Sequence, residues 1–275
     1  MKQGMADYHL HTTVSPDGMN TMEELCDAAL EKGLEELAFT DHFEIYTPGF
    51  QGSKYSPLGK FTIPYLKQYR ERFEQCQKEY GEKITLKSGI ELGQPHLDPA
   101  FSQEVLRVMD FDFVLGSMHK VDDIDFSERD YTCEQNEALC RMNLENLYRL
   151  ADEGDFDCLA HLDLIKRYAA RQGQRVSLLD YPAELEVILK RLIERGKGIE
   201  INTSGVRQGM GEPIPAFEIL SLYRKLGGEI LTIGSDAHKA ADLGADFDIA
   251  CQMAKEAGFS ALARYVRRRV SFCDL

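Results

Sequence analysis

Six of the seven histidines in this chain lie in short motifs, and each motif follows a run of apolar residues. The motifs are Asp7-Tyr8-His9-Leu10-His11, Thr40-Asp41-His42, Gly116-Ser117-Met118-His119, Ala160-His161-Leu162-Asp163 and Gly234-Ser235-Asp236-Ala237-His238. A further apolar run ends in a carboxylate, at Ser88-Gly89-Ile90-Glu91. Imidazole and carboxylate groups are preferred ligands of divalent transition metals. The pattern therefore predicts a multinuclear metal centre.

Spacing within the motifs favours chelation. His9 and His11 are two residues apart, so on an extended strand their side chains share a face. Asp236 and His238 repeat that spacing. A single histidine in an apolar strand is more often a hydrogen-bonded core residue, but six of them at strand ends favour metal binding. Asp17 lies in a Pro-Asp-Gly turn, where turn chemistry alone would explain an aspartate.

Apolar runs alternate with amphipathic helical patterns along the chain. A capping box of Thr21 and Glu24 begins the first helix, and Gly33 ends it. After Thr62 and Pro64, apolar residues recur on one helical face as far as Tyr80. The pattern predicts seven strands, each followed by a helix or a long loop: the run before His9, then about 37–39, 84–90, 111–115, 156–160, 198–201 and 229–233. Such alternation calls for a parallel sheet with right-handed crossovers.

Closure of that sheet into a barrel would explain where the motifs fall. They follow six of the seven strands, and only in a barrel do all the carboxyl ends of the strands face one mouth. With no linker or low-complexity stretch, we predict one domain over residues 1–275. The loops at about 43–61 and 120–133 are predicted lids or substrate walls. His96 matches no motif and is expected in a loop near the mouth.

Composition limits the classes of partner. The chain has 32 basic and 46 acidic residues, a net charge of −14, which disfavours nucleic-acid polymers and anionic membranes. Its seven cysteines form no C-x-x-C pair, as expected of reduced packing residues. The sequence shows neither an apolar leader nor a run of membrane-spanning length. We therefore expect a soluble cytoplasmic protein; its oligomeric state is open, with a homodimer among the alternatives.

In their order along the chain, the motifs H-x-H, T-D-H, G-I-E, G-S-x-H, H-L-D and G-S-D-A-H resemble the PHP (polymerase and histidinol phosphatase) superfamily, in particular its stand-alone histidinol-phosphate phosphatase branch. That resemblance implies a distorted (βα)7 TIM-like barrel with three metal ions at the carboxyl ends of the strands. The implied ligands are His9, His11, Glu91 and Asp236 for the first ion, Glu91 as a bridge with His119 and His161 for the second, and Asp17, His42 and His238 for the third. Many relatives have a histidine where this chain has Asp17.

The implied activity is hydrolysis of L-histidinol phosphate to L-histidinol and phosphate. Two ions bridged by a carboxylate, roughly 3.5–4 Å apart, lower the pKa of a shared water. Because no serine or cysteine nucleophile motif is evident, attack by a metal-bridging hydroxide is the simplest mechanism. Glu91 and Asp236 are the expected catalytic residues, together with His42; His42, Asp41 and Asp236 are alternatives for protonating the leaving alkoxide.

A phosphate dianion also needs fixed cations. Arg207 and Arg167 are the preferred phosphate clamps because a guanidinium binds bidentately, with Lys120 and Lys166 as further candidates. The ligand set does not distinguish Zn, Mn, Fe and Co.

Three other functions compete with this prediction. A PHP phosphoesterase could act instead on a nucleotide, an oligonucleotide or a phosphotyrosyl protein. A non-catalytic metal-stabilised module would have lost ligands that this chain retains. A metal-dependent amidohydrolase would also place H-x-H after the first strand, but it typically needs a bridging lysine on the fourth strand.

Overall fold

The computed structural model describes residues 5–52 and 61–275. Its strands are β1 (Ala6–Leu10), β2 (Glu36–Phe39), β3 (His42–Glu44), β4 (Thr85–Gly93), β5 (Phe113–Ser117), β6 (Lys120–Val121), β7 (Ile124–Asp125), β8 (Cys158–Leu159), β9 (Gly198–Asn202), β10 (Leu231–Gly234), β11 (Ala261–Val266) and β12 (Arg269–Asp274). Its helices are α1 (Met22–Lys32), α2 (Ile63–Tyr80), α3 (Pro99–Leu106), α4 (Cys133–Glu153), α5 (Ile165–Arg171), α6 (Pro182–Glu194), α7 (Phe217–Lys225) and α8 (Phe247–Glu256).

Seven parallel strands form a nearly closed barrel in the order β1-β2-β4-β5-β8-β9-β10, which confirms the predicted fold. The seam between β10 and β1 is closed differently from the other strand pairs. A single parallel bridge joins Leu10 to Ala237, and the Asp236 amide donates to the His9 carbonyl at 2.7 Å. The carboxylate of Asp7 accepts further bonds from Ser235 across the seam. The seam therefore ties the first and last motifs directly together.

Local signals place the helices as predicted. The Thr21 and Glu24 side chains form the expected capping box, and Gly33 ends α1 in the left-handed region at φ 71°. Helix α2 buries the predicted face from Leu66 to Tyr80. These helices pack their apolar sides on the outside of the barrel, so the polar ends of the strands are left for the mouth.

Six of these elements were not predicted. Strand β3 pairs with β4, the hairpin β6–β7 occupies the start of the predicted 120–133 loop, and α5 follows the fifth barrel strand. The basic carboxyl-terminal segment forms the antiparallel hairpin β11–β12. Part of the predicted 43–61 loop, residues 53–60, lies outside the described residues. Within the described ranges, no helix combines the length and apolarity needed to cross a membrane.

Candidate metal centre

The carboxyl ends of the strands bring all nine predicted metal ligands to the barrel mouth. The first group contains His9 and His11, whose Nε2 atoms are 3.1 Å apart. The Asp236 Oδ1 atom lies 3.8 Å and 3.5 Å from these two nitrogens. Glu91 Oε2 lies 3.5 Å and 3.6 Å from them. These four side chains therefore converge on one point.

A second group shares Glu91 with the first. Its other oxygen, Oε1, lies 3.1 Å from His119 Nε2 and 2.9 Å from His161 Nε2. The two imidazole nitrogens are 3.4 Å apart. The two oxygens of one buried carboxylate thus face two different sets of imidazoles, which is the placement that a bridging ligand requires.

The third group lies nearer to solvent. Asp17 Oδ2 is 3.1 Å from His238 Nε2, and Asp17 Oδ1 is 3.7 Å from His42 Nε2. His42 also contacts the inner groups through Nδ1, which is 2.6 Å from Glu91 Oε2. The Asp17 side chain is 57% exposed, whereas Glu91 is fully buried. The third group is consequently the most accessible of the three.

The donor set fits divalent cations. Ligand atoms of His9, His11 and Asp236 all lie within 4.8 Å of one another, as do those of His42, Glu91 and His119. Glu91 Oε2 and His42 Nδ1 are both buried and lie 2.6 Å apart, and neither has a further hydrogen-bond partner among the described residues. Once these imidazoles give up their protons, their nitrogens and the facing carboxylate oxygens offer lone pairs that a cation satisfies.

The electrostatics keep the two central acids ionised. Burial alone would raise the pKa of Glu91, but the surrounding imidazoles, His119 foremost, hold it well below its usual range. Burial would likewise raise the pKa of Asp236, but His9, His11 and other neighbours hold it well below the ordinary value. Both groups are therefore available as anionic ligands at neutral pH.

A cavity of about 640 Å³ lies above these groups and is lined by ligands from all three of them. Of the four predicted phosphate-binding cations, Arg167 and Lys120 line it. The Arg167 guanidinium donates to Ser204 and lies 3.9 Å from Asp236 Oδ2. The Lys120 ammonium is paired with Glu44.

The other two cations do not line the cavity, which corrects the expectation that they face it. Arg207 donates to the carbonyls of Ser235 and Asp236 at 2.6 and 2.8 Å, and it pairs with Asp242. It therefore braces the chain after β10. Lys166 is held by Asp163 and Glu212 at 3.0 and 2.9 Å.

The comparisons with known proteins agree with this geometry. The PHP domain family model matches residues 7–204, well over half of the chain. The chain belongs to the PHP family. A histidinol-phosphatase of Lactococcus lactis is 29% identical over 265 residues, which cover 94% of this chain and 93% of that protein. A probable histidinol-phosphatase of Deinococcus radiodurans is 28% identical over 263 residues.

A solved structure extends the similarity. The crystal structure of histidinol phosphate phosphatase from Lactococcus lactis, complexed with Zn, L-histidinol and phosphate, superposes with a TM-score of 0.77. It is 26% identical, and the match covers 98% of this chain and all of that one. This PHP chain therefore shares its length and architecture with that enzyme.

Two buried carboxylates that sequence analysis missed orient the ligands of the PHP site. Glu200 Oε1, on β9, lies 2.7 Å from His9 Nδ1, and its Oε2 accepts from the His161 amide at 3.0 Å. Gly234 leaves room for this contact, since a Cβ there would meet Glu200 Oε1 at 2.3 Å. Fixing Nδ1 of a histidine in this way turns its Nε2 toward the ligand cluster. The sequence feature that could have identified Glu200 is its position as a lone glutamate inside an apolar strand.

Glu44 does the same for the second group. Its Oε1 lies 2.6 Å from His119 Nδ1, and its other oxygen meets Lys120. Glu44 follows His42 at the same two-residue spacing as the histidines of the H-x-H motif, but β3 was predicted as a loop and this signal was not used. Each of His9 and His119 is thus backed by a carboxylate that does not itself belong to the predicted ligand set.

Two of the predicted ligands have positive φ angles, 24° at His161 and 53° at Asp236. Such angles are uncommon for residues other than glycine and persist where surrounding contacts hold them. Glu200 holds the His161 amide, and Arg207 holds the Asp236 carbonyl. The strain lies at two predicted ligand positions, as expected for a site that must fix side-chain direction.

Asp41 and His96, which the sequence analysis also considered, make their contacts away from the cavity. Asp41 accepts bonds from the amides and hydroxyls of Thr12 and Ser15 at 2.7–3.1 Å and does not line the cavity. His96 is buried beneath α4, where its Nε2 meets Asn146 Oδ1 at 3.2 Å, and burial lowers its pKa to about 4. His42 and Asp236 therefore remain as the alternatives for protonating the leaving group, and Asp236, which is ionised, would first have to accept a proton.

Proposed function

We propose that this PHP protein hydrolyses L-histidinol phosphate to L-histidinol and inorganic phosphate. The carrying observation is the match along the whole chain to a phosphatase whose structure contains Zn, L-histidinol and phosphate. The proposal is also supported by the convergence of imidazoles and carboxylates beneath a cavity of small-molecule size. We treat residues 1–275 as one functional domain, and assign it to the cytoplasm on the strength of its biosynthetic substrate.

We assign three metal ions to the three groups described above. His9, His11 and Asp236 would hold the first ion, His119 and His161 the second, and Glu91 would contribute an oxygen to each. Asp17, His42 and His238 would hold the third. Zinc is the metal in the related structure, and Mn, Fe and Co suit the same ligands. Such ions lower the pKa of bound water and hold phosphate oxygens.

The residues of the chain supply orientation and charge around that chemistry. Glu200 and Glu44 keep the Nε2 atoms of His9 and His119 pointed at the ligand cluster. Arg167 offers its guanidinium to a phosphate at the cavity wall, where it would offset charge that develops during transfer. His42 would deliver the proton that the leaving alkoxide requires; Asp236, which is held ionised, would do so only after accepting a proton from the attacking water.

A substrate panel tests the proposal. Metal-replete protein should have its highest kcat/KM on L-histidinol phosphate when set against AMP, phosphotyrosine and p-nitrophenyl phosphate. Chelation should abolish that activity and metal return should restore it, with three metals per chain by elemental analysis. A preference for AMP or phosphotyrosine would favour another PHP phosphoesterase. Full activity in metal-free protein would overturn the mechanism.

A further inference from the structure

Four carboxylates line the cavity within the described part of the chain: Asp17, Glu44, Asp125 and Asp236. Three of them have a role at the metal centre. Asp17 and Asp236 belong to the ligand groups, and Glu44 is bound to His119 and Lys120. Asp125 is in none of these contacts, so its negative charge at the cavity wall is left without an assigned function.

The hairpin β6–β7 holds Asp125 in a defined position. Asp125 ends β7 directly opposite Lys120, whose ammonium is turned to Glu44 instead. Its Oδ1 atom accepts bonds from the Ser127 amide and hydroxyl at 2.8 and 2.6 Å, which fixes the plane of the carboxylate. Within residues 5–52 and 61–275, Asp125 forms no ion pair shorter than 4.0 Å, and the Lys120 ammonium, although near enough to interact with its charge, is bound to Glu44. The second oxygen is therefore available to a ligand.

The proposed substrate brings a complementary charge. L-Histidinol phosphate carries a protonated amine in addition to its phosphate and imidazole. The metal ligands and Arg167 account for the phosphate end, so the ammonium group must be met elsewhere in the cavity. A cation that enters a partly enclosed site needs an anionic hydrogen-bond acceptor to replace its lost hydration.

We propose that Asp125 binds the ammonium group of the substrate and so makes the enzyme selective for phosphomonoesters of amino alcohols. This inference rests on the proposed function and adds the residue that recognises the amine. The neighbouring wall residues Leu164 and Tyr168 are apolar or aromatic, and they offer no competing anion.

The test compares two substrates in one variant. Asp125→Asn removes the charge but keeps an oxygen acceptor for Ser127. The second substrate is 3-(imidazol-4-yl)propyl phosphate, which is histidinol phosphate without its amine. In the wild-type protein, kcat/KM should be higher for the amine-bearing compound by roughly 10- to 100-fold, the effect of one charge-assisted hydrogen bond. In Asp125→Asn that preference should fall to about twofold or less, mainly through KM, and Asp125→Glu should recover part of it.

Asp122→Asn is the matched control. Asp122 is exposed at the turn of the same hairpin, and asparagine tolerates its φ of 51°. Its substrate preference should equal that of the wild type. Equal losses on both substrates in Asp125→Asn, or no loss on either, would overturn the inference while leaving histidinol phosphate hydrolysis intact. Wild-type protein that is inactive on both compounds would overturn the proposed function, and the inference with it.

Discussion

The two ends of the barrel, built from the same seven strands, differ in how their buried side chains are satisfied. At the mouth, the two oxygens of Glu91 face imidazole nitrogens of five histidines at 2.6–3.6 Å, and the carboxylate is fully buried. At the base, the hairpin β11–β12 inserts Ala263 and Tyr265 against Tyr8 and Phe113. The base is complete as a protein interior, whereas the mouth needs cations from outside.

Charge is handled differently at the two ends as well. At the base, Arg268 pairs with Asp155 at 2.6 Å and with Asp157 at 3.0 Å. Its amide, like that of Arg267, donates to Asp112. These bonds hold Arg267 and Arg268 at φ values of 48° and 60°, a tight hairpin turn that usually takes asparagine and glycine. Charged side chains at the base are therefore paired within the protein, whereas the donor atoms at the mouth converge on positions that cations can fill.

The largest effect is expected from Glu91→Gln at the mouth. Glutamine keeps the size of the side chain but removes the charge shared by two ligand groups. We expect kcat to fall by about three orders of magnitude or more, with loss of bound metal. Turnover assays combined with elemental analysis measure both. A loss under tenfold with full metal content would mean that Glu91 is structural.

A smaller effect should separate the two arginines near the mouth. Arg167→Met is expected to lower kcat/KM by about 10²–10³ and to weaken inhibition by inorganic phosphate, because it removes a charged donor from the cavity wall. Arg207→Met should leave phosphate inhibition within about threefold of wild type, since Arg207 is bound to backbone carbonyls. Inhibition constants for phosphate measure the difference. Weaker inhibition in Arg207→Met alone would restore Arg207 as the clamp.

The contrast also explains what the sequence could predict. Metal ligands are few residue types, and they must follow strands, so His9 and Glu91 could be placed from their motifs. The carboxylates that orient those ligands have no such sequence motif: Glu200 is a single acid within an apolar strand. The direction of Arg207 depends on carbonyls that only the folded chain brings near. Strand β12 was missed because Val270 and Phe272 are exposed and half of its residues are polar or charged.

The smallest effect on catalysis is expected at the base, from Arg268→Met. This change leaves Asp157, which is 8% exposed, without its guanidinium partner. Breaking a buried pair costs several kcal/mol, but Arg268 is itself 27% exposed, so we expect a loss of about 2 kcal/mol in the free energy of unfolding. Urea denaturation measures that loss, and Arg269→Met, at an exposed neighbour, is the control. Because the pair lies at the opposite end from the ligands, kcat/KM per folded molecule and metal content should stay within twofold of wild type. A large fall in activity without loss of stability would mean that the base helps to set the ligand geometry, since β1 carries both Tyr8, which packs against the hairpin β11–β12, and His9 at the metal centre.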